Sequence, residues 1–372
     1  MARRGNTEGR IYKRQDGRWA AALSLPGGKP RTLYGKTRQK VAGKLAAAIR
    51  DRDTGLPVTP QRQTVGQFLQ KWIEDSVGPT VRPRTFERYE GIVINHLLPS
   101  IGQRTLHGLS PQDVQALYTG KLHSGLSARS VEHIHAVLRR ALGQALKWGL
   151  VARNVATLVD VPRPSRKEIR PLSPGQARLL LETVRGHRLE ALFVVCLMVG
   201  LRQGEALGLR WEDLDIDAGT LQVRHALQRI DGAYQLVEPK TNRSRRTLAL
   251  PETAILALSE HLTRHLEEKS QAGPLWVDWG LVFATPYGSP LNRHTTTRAF
   301  QALLEWAGLP RQQYHDLRHT CASLLLAQNV QPRDVMEVLG HSQISLTMNT
   351  YSHVMPPALR NAANRIDDIL AG

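Results

Sequence analysis

The chain has 372 residues and a net charge of +18, from 50 Lys and Arg against 32 Asp and Glu, with a pI near 10.4. That length exceeds one typical domain, and so basic a balance points to a polyanion, DNA or RNA, as partner. No apolar run is long enough to span a bilayer and the basic start MARRGNTEGR lacks the apolar stretch of a secretory signal, so no membrane is expected and the expected location is cytoplasmic.

The charge is unevenly spread. Residues 1–62 hold 15 Lys/Arg against 4 Asp/Glu, residues 63–168 hold 14 against 8, and residues 169–372 hold 21 against 20, so the balances are +11, +6 and +1. We therefore expect three parts: two leading modules that neutralise phosphates and a nearly neutral globular core that does chemistry. The only two cysteines, Cys196 in LFVVCLMVGL and Cys321 in HTCASLLL, sit far apart in apolar surroundings and are expected as buried thiols, not a disulfide.

In the first part, the short strand-like runs GRIYKR, RWAAALSL and KPRTLYG alternate with turn signals at Asp16-Gly17 and Pro26-Gly27-Gly28, which predicts a small three-stranded sheet. A helix follows from Thr37, and DTGLPVTPQRQ has the composition of a linker. Arg10, Lys13, Arg14 and Arg18, interleaved with Trp19 and Tyr34, are candidate DNA contacts; the ordinary alternative is a solvated basic tail.

Residues 64–160 carry apolar residues at three- and four-residue spacing in four segments, with cap signals at Thr64, Ser110-Pro111 and Ser127 and glycines 102, 125 and 149 at or beyond the ends, which predicts a compact helical domain. Arg82, Arg84, Arg88, Arg139, Arg140 and Lys147 are candidates for a DNA-facing surface, with a plain solvated face as the alternative for each. Prolines 162, 164, 171 and 174 then mark a second linker.

The third part begins helically, passes through the very apolar ALFVVCLMVGLR, and reaches Arg202 and Glu205, whose spacing makes them neighbours on a helix and lets Glu205 orient a guanidinium. Strand-like runs TLQVRHALQR and AYQLVE are joined by Asp231-Gly232, and PKTNRSRRTLALP is expected to turn back as a hairpin with Lys240 at its tip. Helices are expected from Pro251 and over HTTTRAFQALLEWAG.

The stretch HDLRHTCASLLLAQNVQPRDVMEVLGHSQISLTMNTY, from His315 to Tyr351, gathers His, Arg and Tyr around two helical segments. Leu317, Cys321, Leu324 and Leu325 form an apolar stripe that leaves Arg318 off it, on the face available for chemistry. Pro332 suits the first turn of the second helix, and Gly340 suits its left-handed stop just before His341.

These motifs resemble the tyrosine recombinases, and in overall layout the phage integrases among them. The resemblance implies Arg202 and Arg318 as catalytic arginines, Lys240 as the hairpin lysine, His315 and His341 as catalytic histidines, Tyr351 as nucleophile and Glu205 in support. It rests on specific motifs over residues 173–353, on helical pattern and position over 64–160, and on the looser GRIYKRQDGRW pattern of arm-site binders in front. It further implies a multidomain fold, mainly α with small β-sheets: a sheet-plus-helix module over 1–62 for arm sites, a helical core-site domain over 63–168, and a mixed α/β catalytic domain over 169–372. The implied partner is double-stranded DNA with core sites and arm sites, bound by a homotetramer, with a host DNA-bending protein and an excision factor as possible helpers. The tail after Tyr351 is implied to be a helix that docks on a neighbouring protomer.

The residue chemistry is consistent with that reading. A phenol, with an ordinary pKa of about 10, needs a proton acceptor and local positive charge to attack a phosphodiester. Two planar guanidinium forks fit the charge on non-bridging oxygens, and a lysine with a lowered pKa can protonate the departing 5′ oxygen. Such a site requires neither metal nor cofactor. A zinc pair at His315 and His319 lacks the Glu that a zincin places beside its first His. Three rivals stand beside the integrase reading: a chromosome or plasmid dimer resolvase, which lacks the basic front module; a type IB topoisomerase, which lacks the two-module front; and a non-cleaving DNA binder, which needs no catalytic set.

Overall fold

The computed structural model describes residues 9–24, 30–53, 63–165, 170–239 and 245–340. Lys240, His341, Tyr351, the segment 342–350 and the tail lie outside the described residues. The chain divides into two compact units, Met1–Arg166 and Lys167–Gly372.

At the front, strands β1 (Arg10–Lys13), β2 (Trp19–Leu23) and β3 (Arg31–Gly35) form the expected antiparallel sheet in the order β1-β2-β3. Gly17 takes the positive φ, +79°, that the Asp16-Gly17 turn requires. One face, carrying Ile11, Ala21 and Leu33 in register, packs with Leu23 against Val41, Leu45 and Ala48 of helix α1 (Arg38–Asp53). The other face sets Tyr12, Ala20 and Tyr34 side by side, leaving both tyrosines exposed.

The rest of the first unit is helical: α2 (Val65–Trp72), α3 (Pro83–Ile92), α4 (Leu98–Ile101), α5 (Pro111–His123) and α6 (Ala128–Lys147). All three expected caps form. Thr64 Oγ1 accepts from Gln67 N at 3.2 Å, Ser110 Oγ from Asp113 N at 3.2 Å and Ser127 Oγ from Ser130 N at 3.1 Å, so each helix starts where its side-chain oxygen satisfies an otherwise orphaned N–H. Phe68, Leu69, Trp72, Leu97, Tyr118, Ile134 and Leu138 fill a core in which Trp72 stacks on Tyr89.

The second unit is built around α8 (Glu190–Val199), apolar on all sides and buried from Ala191 to Leu197. Around it lie α7 (Pro174–Thr183), α9 (Gln203–Leu207), α10 (Glu252–Ala272), α11 (Arg293–Trp306), α12 (Asp316–Ala327) and α13 (Pro332–Leu339). Strands β4 (Leu214–Asp215), β5 (Thr220–Val223) and β8 (Arg246–Ala249) form one antiparallel sheet, and β6 (Ala226–Ile230) with β7 (Ala233–Val237) forms another. The run TLQVRHALQR is therefore two strands, broken at Arg224-His225.

The expected hairpin after β7 is not what the described residues form. β8 pairs with β5, with Leu221 opposite Leu248 and Val223 opposite Arg246, while β7 pairs with β6 through the Asp231-Gly232 turn, so the segment between β7 and β8 joins two sheets. Cys196 and Cys321 are free and buried, with Cys196 Sγ 3.3 Å from Tyr314 Oη and Cys321 Sγ 3.5 Å from the Met198 carbonyl. Among the described residues no helix is long and apolar enough to cross a membrane.

Candidate active site

Gly200 ends α8 in left-handed backbone, φ +68°, and a Cβ there would lie 2.8 Å from Leu339 Cδ2 and 3.2 Å from Cys321 Sγ. Only glycine lets α8, α12 and α13 approach this closely. The chain then extends through Leu201 to Arg202, whose backbone (φ −69°, ψ 147°) makes it the N-cap of α9. Arg202 and Glu205 do meet, though not as neighbours within a helix. Glu205 reaches back over the helix start, accepting from Arg202 N at 3.0 Å and from Arg202 Nη1 at 2.6 Å.

A third residue, which the sequence reading missed, completes this pair. Arg246 enters from β8 with its side chain 7 % exposed and donates from Nη2 to Glu205 Oε2 at 3.1 Å. One carboxylate thus lies between two guanidinium groups. Burial pushes the Glu205 carboxyl upward, but Arg246 and Arg202 outweigh it and hold its pKa below the ordinary value. The signal for Arg246 was available in the alternation RTLAL, in which residue 246 shares the inward face of its strand with Leu248 and Leu250.

Three arginines meet the end of α13. Arg246 Nε donates to the Val338 carbonyl at 2.8 Å, Arg318 Nη2 to the Leu339 carbonyl, and Arg202 Nη2 to the Gly340 carbonyl at 3.2 Å. Gly340 closes the helix in left-handed backbone, φ +63°, as the sequence suggested. Helix C-termini leave carbonyls without partners inside the helix and carry partial negative charge, so cations are favoured there. Arg318 Nη1 also donates to the Gly200 carbonyl, 2.7 Å away at the end of α8. Arg318 lies off the apolar stripe but is only 1 % exposed, because the ends of α8 and α13 meet it; the exposed working face we expected is instead a buried guanidinium.

His315 is the N-cap of α12 and stands edge to face with His319, ring centroids 4.9 Å apart. The protein crowding around its ring, with the charges of His319, Arg318, Arg202 and Arg293, pushes its pKa down to about 4, so near neutral pH it is an uncharged proton acceptor. Arg293, on the first turn of α11, is a second cation absent from the sequence reading; its Nε donates to Gln203 Oε1 at 2.7 Å. Among the described residues no group of three or more His, Cys, Asp or Glu gathers as metal ligands would. The structure thus brings Arg202, Glu205, His315 and Arg318 together, at the point where the chain leaves Gly340 for His341.

The DNA-contact candidates of the first unit are all exposed. Arg10 lies over Tyr12 (5.5 Å) and Arg14 over Tyr34 (5.4 Å) on the open face of the sheet, Lys13 alternates to the helix side, and Arg18 sits at the turn. In the helical part Arg88 Nη2 meets His133 Nδ1 at 3.0 Å and Arg140 packs on Tyr89, so α3 and α6 join through a basic seam. Arg140 and Lys147, seven apart, continue one stripe of α6; Arg139 is beside them, and Arg82 and Arg84 open α3.

The Phage integrase family profile matches residues 171–356, and the N-terminal SAM-like domain of phage integrases matches residues 64–122. A protein of Caldanaerobacter subterraneus named "Tyrosine recombinase XerC-like" is 32 % identical over 360 residues, covering 91 % of both chains. A Streptomyces ambofaciens integrase is 31 % identical over 384 residues, covering 99 % of this chain and 97 % of its own. The solved Tn1549 transposon integrase in complex with a circular intermediate DNA has the same fold, with TM-score 0.71, 24 % identity, and 82 % of this chain and 99 % of that one covered.

Proposed function

Because the chain belongs to the phage integrase family, whose members are the tyrosine site-specific recombinases, we propose that its candidate site cuts and rejoins DNA through Tyr351. The chain is a site-specific recombinase of integrase type. The observation that carries the assignment of roles is the convergence of Arg202, Arg246 and Arg318 on the three successive carbonyls, 338 to 340, that lead into His341.

In this proposal Arg202 and Arg318 offer guanidinium N–H groups to the non-bridging oxygens of the scissile phosphate, where charge builds in the transition state. Glu205 fixes the Arg202 fork. The Tyr351 oxygen attacks phosphorus while its proton passes to a neutral histidine, His315 being uncharged near pH 7. The bond from phosphorus to the 5′ oxygen breaks, that oxygen takes a proton from Lys240, and the 3′ phosphate stays on Tyr351, ready for a second 5′ hydroxyl to reverse the step. His341 supports the transferring phosphoryl group. Exchange between two duplexes cuts four strands in all, and with one nucleophilic tyrosine, Tyr351, per chain that calls for four protomers.

The three-part layout is also a proposal: an arm-site module over 1–62, a core-site helical domain over 63–168, and the catalytic domain over 169–372, acting in the cytoplasm of a bacterial host on phage or mobile-element DNA, with a DNA-bending protein and an excision factor as helpers. The alternation of exposed arginines and tyrosines on the outer face of the front sheet, and the basic seam of α3 and α6, support the two binding roles.

The test is a nicked core-site duplex, taken from the junction flanking the gene, whose cut fragment diffuses away. The unaltered protein is expected to accumulate a 3′-phosphate adduct that resists denaturant and yields to protease, and Tyr351→Phe to bind the same duplex without forming it. An adduct from Tyr351→Phe would remove Tyr351 as the nucleophile.

A further inference from the structure

We propose that Arg246 is a positioning residue for strand cleavage, fixing the Glu205 carboxylate and the last turn of α13 so that the Arg202 guanidinium and the Gly340 carbonyl stand in register. This rests on the recombinase reading above. Among the described residues Arg246 directs its fork to Glu205 Oε2 at 3.1 Å and to the Val338 carbonyl at 2.8 Å, and so ties β8, α9 and α13 together at one point. Glu205 stands between it and Arg202, so Arg246 bears on the carboxylate that orients a substrate-binding guanidinium.

An apolar residue would serve packing alone at this position, since Leu248 and Leu250 occupy the same inward register. A buried guanidinium between a carboxylate and a helix end adds little stability over such a residue but fixes direction and distance. Without it, Glu205 Oε2 keeps the Arg202 backbone N–H and loses its second guanidinium, so the carboxylate can rotate and the Arg202 fork with it. The same loss frees the Val338 carbonyl, two residues before the Gly340 carbonyl that Arg202 also holds. Both ends of the Arg202 guanidinium therefore depend on Arg246.

The experiment is single-turnover adduct formation on the nicked core-site duplex, with the full-length protein in excess, for the unaltered chain, Arg246→Met, Arg246→Lys, Glu205→Gln and the Arg246→Met/Glu205→Gln pair. Small misplacements of a catalytic group cost up to about a hundredfold in rate, so Arg246→Met is expected to lower the rate constant roughly ten- to a hundredfold while the half-saturating protein concentration stays unchanged. Arg246→Lys, which can meet one of the two partners, is expected to recover part of the rate. The double variant is expected to be no slower than the slower single variant, because both act through one contact. A role in folding alone would lower the amplitude of adduct formation and leave its rate constant untouched, and that result would overturn the inference. So would unaltered kinetics in Arg246→Met, or losses that multiply in the double variant. If the unaltered protein formed no adduct on its own core site, the recombinase reading would fall and this inference with it; an adduct from the unaltered protein with a full rate in Arg246→Met would sink the inference alone.

Discussion

Changing Glu205 to Gln keeps the shape of the side chain and removes the one full negative charge placed between Arg202 and Arg246. Breaking a buried ion pair by removing one partner costs about 3–5 kcal/mol. Two features reduce that figure here: the Arg202 side chain is 37 % exposed, so water takes over part of its solvation, and the Gln carbonyl still accepts one hydrogen bond. A loss of about 2–3 kcal/mol remains, carried mainly by Arg246, which corresponds to a fall in the melting temperature of the second unit of roughly 4–12 °C. Calorimetry of the full chain near pH 7 measures it. The dependence on pH has a definite sign, because the Glu205 pKa is lowered on folding: the contribution is present above the unfolded value of about 4.3 and is lost as pH falls through the folded value. The gap between unaltered protein and variant should therefore be level through neutral pH and close in acid below about pH 4. An equal or higher melting temperature in Glu205→Gln at pH 7, or a gap that widens in acid, would refute this account of the buried carboxylate.

Two further outcomes follow from the same geometry. Gly200→Ala puts a Cβ 2.8 Å from Leu339 at φ +68° and should destabilise by about 1–3 kcal/mol in denaturant titration while slowing adduct formation, because both carbonyls that hold Arg318 shift; a variant as stable and fast as the unaltered chain would count against the close packing of α8 on α13. Lys240→Ala should slow cleavage of an ordinary duplex far more than cleavage of one whose 5′ leaving group is a thiolate, which needs no proton; equal slowing on both would remove Lys240 as the acid.

Much of this architecture was legible from local physics. Side-chain oxygens at Thr64, Ser110 and Ser127 mark helix starts because each satisfies an exposed N–H within three residues, and Gly340 marks a stop because its left-handed backbone costs little. Arg202 and Glu205 were identified as a pair by spacing, yet the spacing alone does not say whether they lie within a helix or across its cap. The rest depended on which distant segments meet. Nothing local in RSRRTLALP says that β8 will pair with β5, more than twenty residues earlier, and without that pairing Arg246 is one arginine in a polar run. The burial of Arg318 was hidden for the same reason: its helix pattern frees it from the apolar stripe, and only the arrival of α8 and α13 makes it an interior residue.

That burial explains how the site can be assembled before DNA arrives. Arg202, Arg246, Arg293 and Arg318 share one region with the carboxylate of Glu205, and like charges so close repel unless something offsets them. Further carboxylates would hold the guanidinium groups in place but would also cancel the field that a phosphate needs. Main-chain carbonyls at the ends of α8 and α13 offer another solution, since a helix C-terminus carries only about half a unit of negative charge while presenting acceptors in fixed directions. Orientation is set, N–H groups remain for a phosphate, and the region keeps a net positive charge for an incoming phosphodiester. The two left-handed glycines, 200 and 340, then serve the proposed site: each ends a helix so that its last carbonyl faces an arginine.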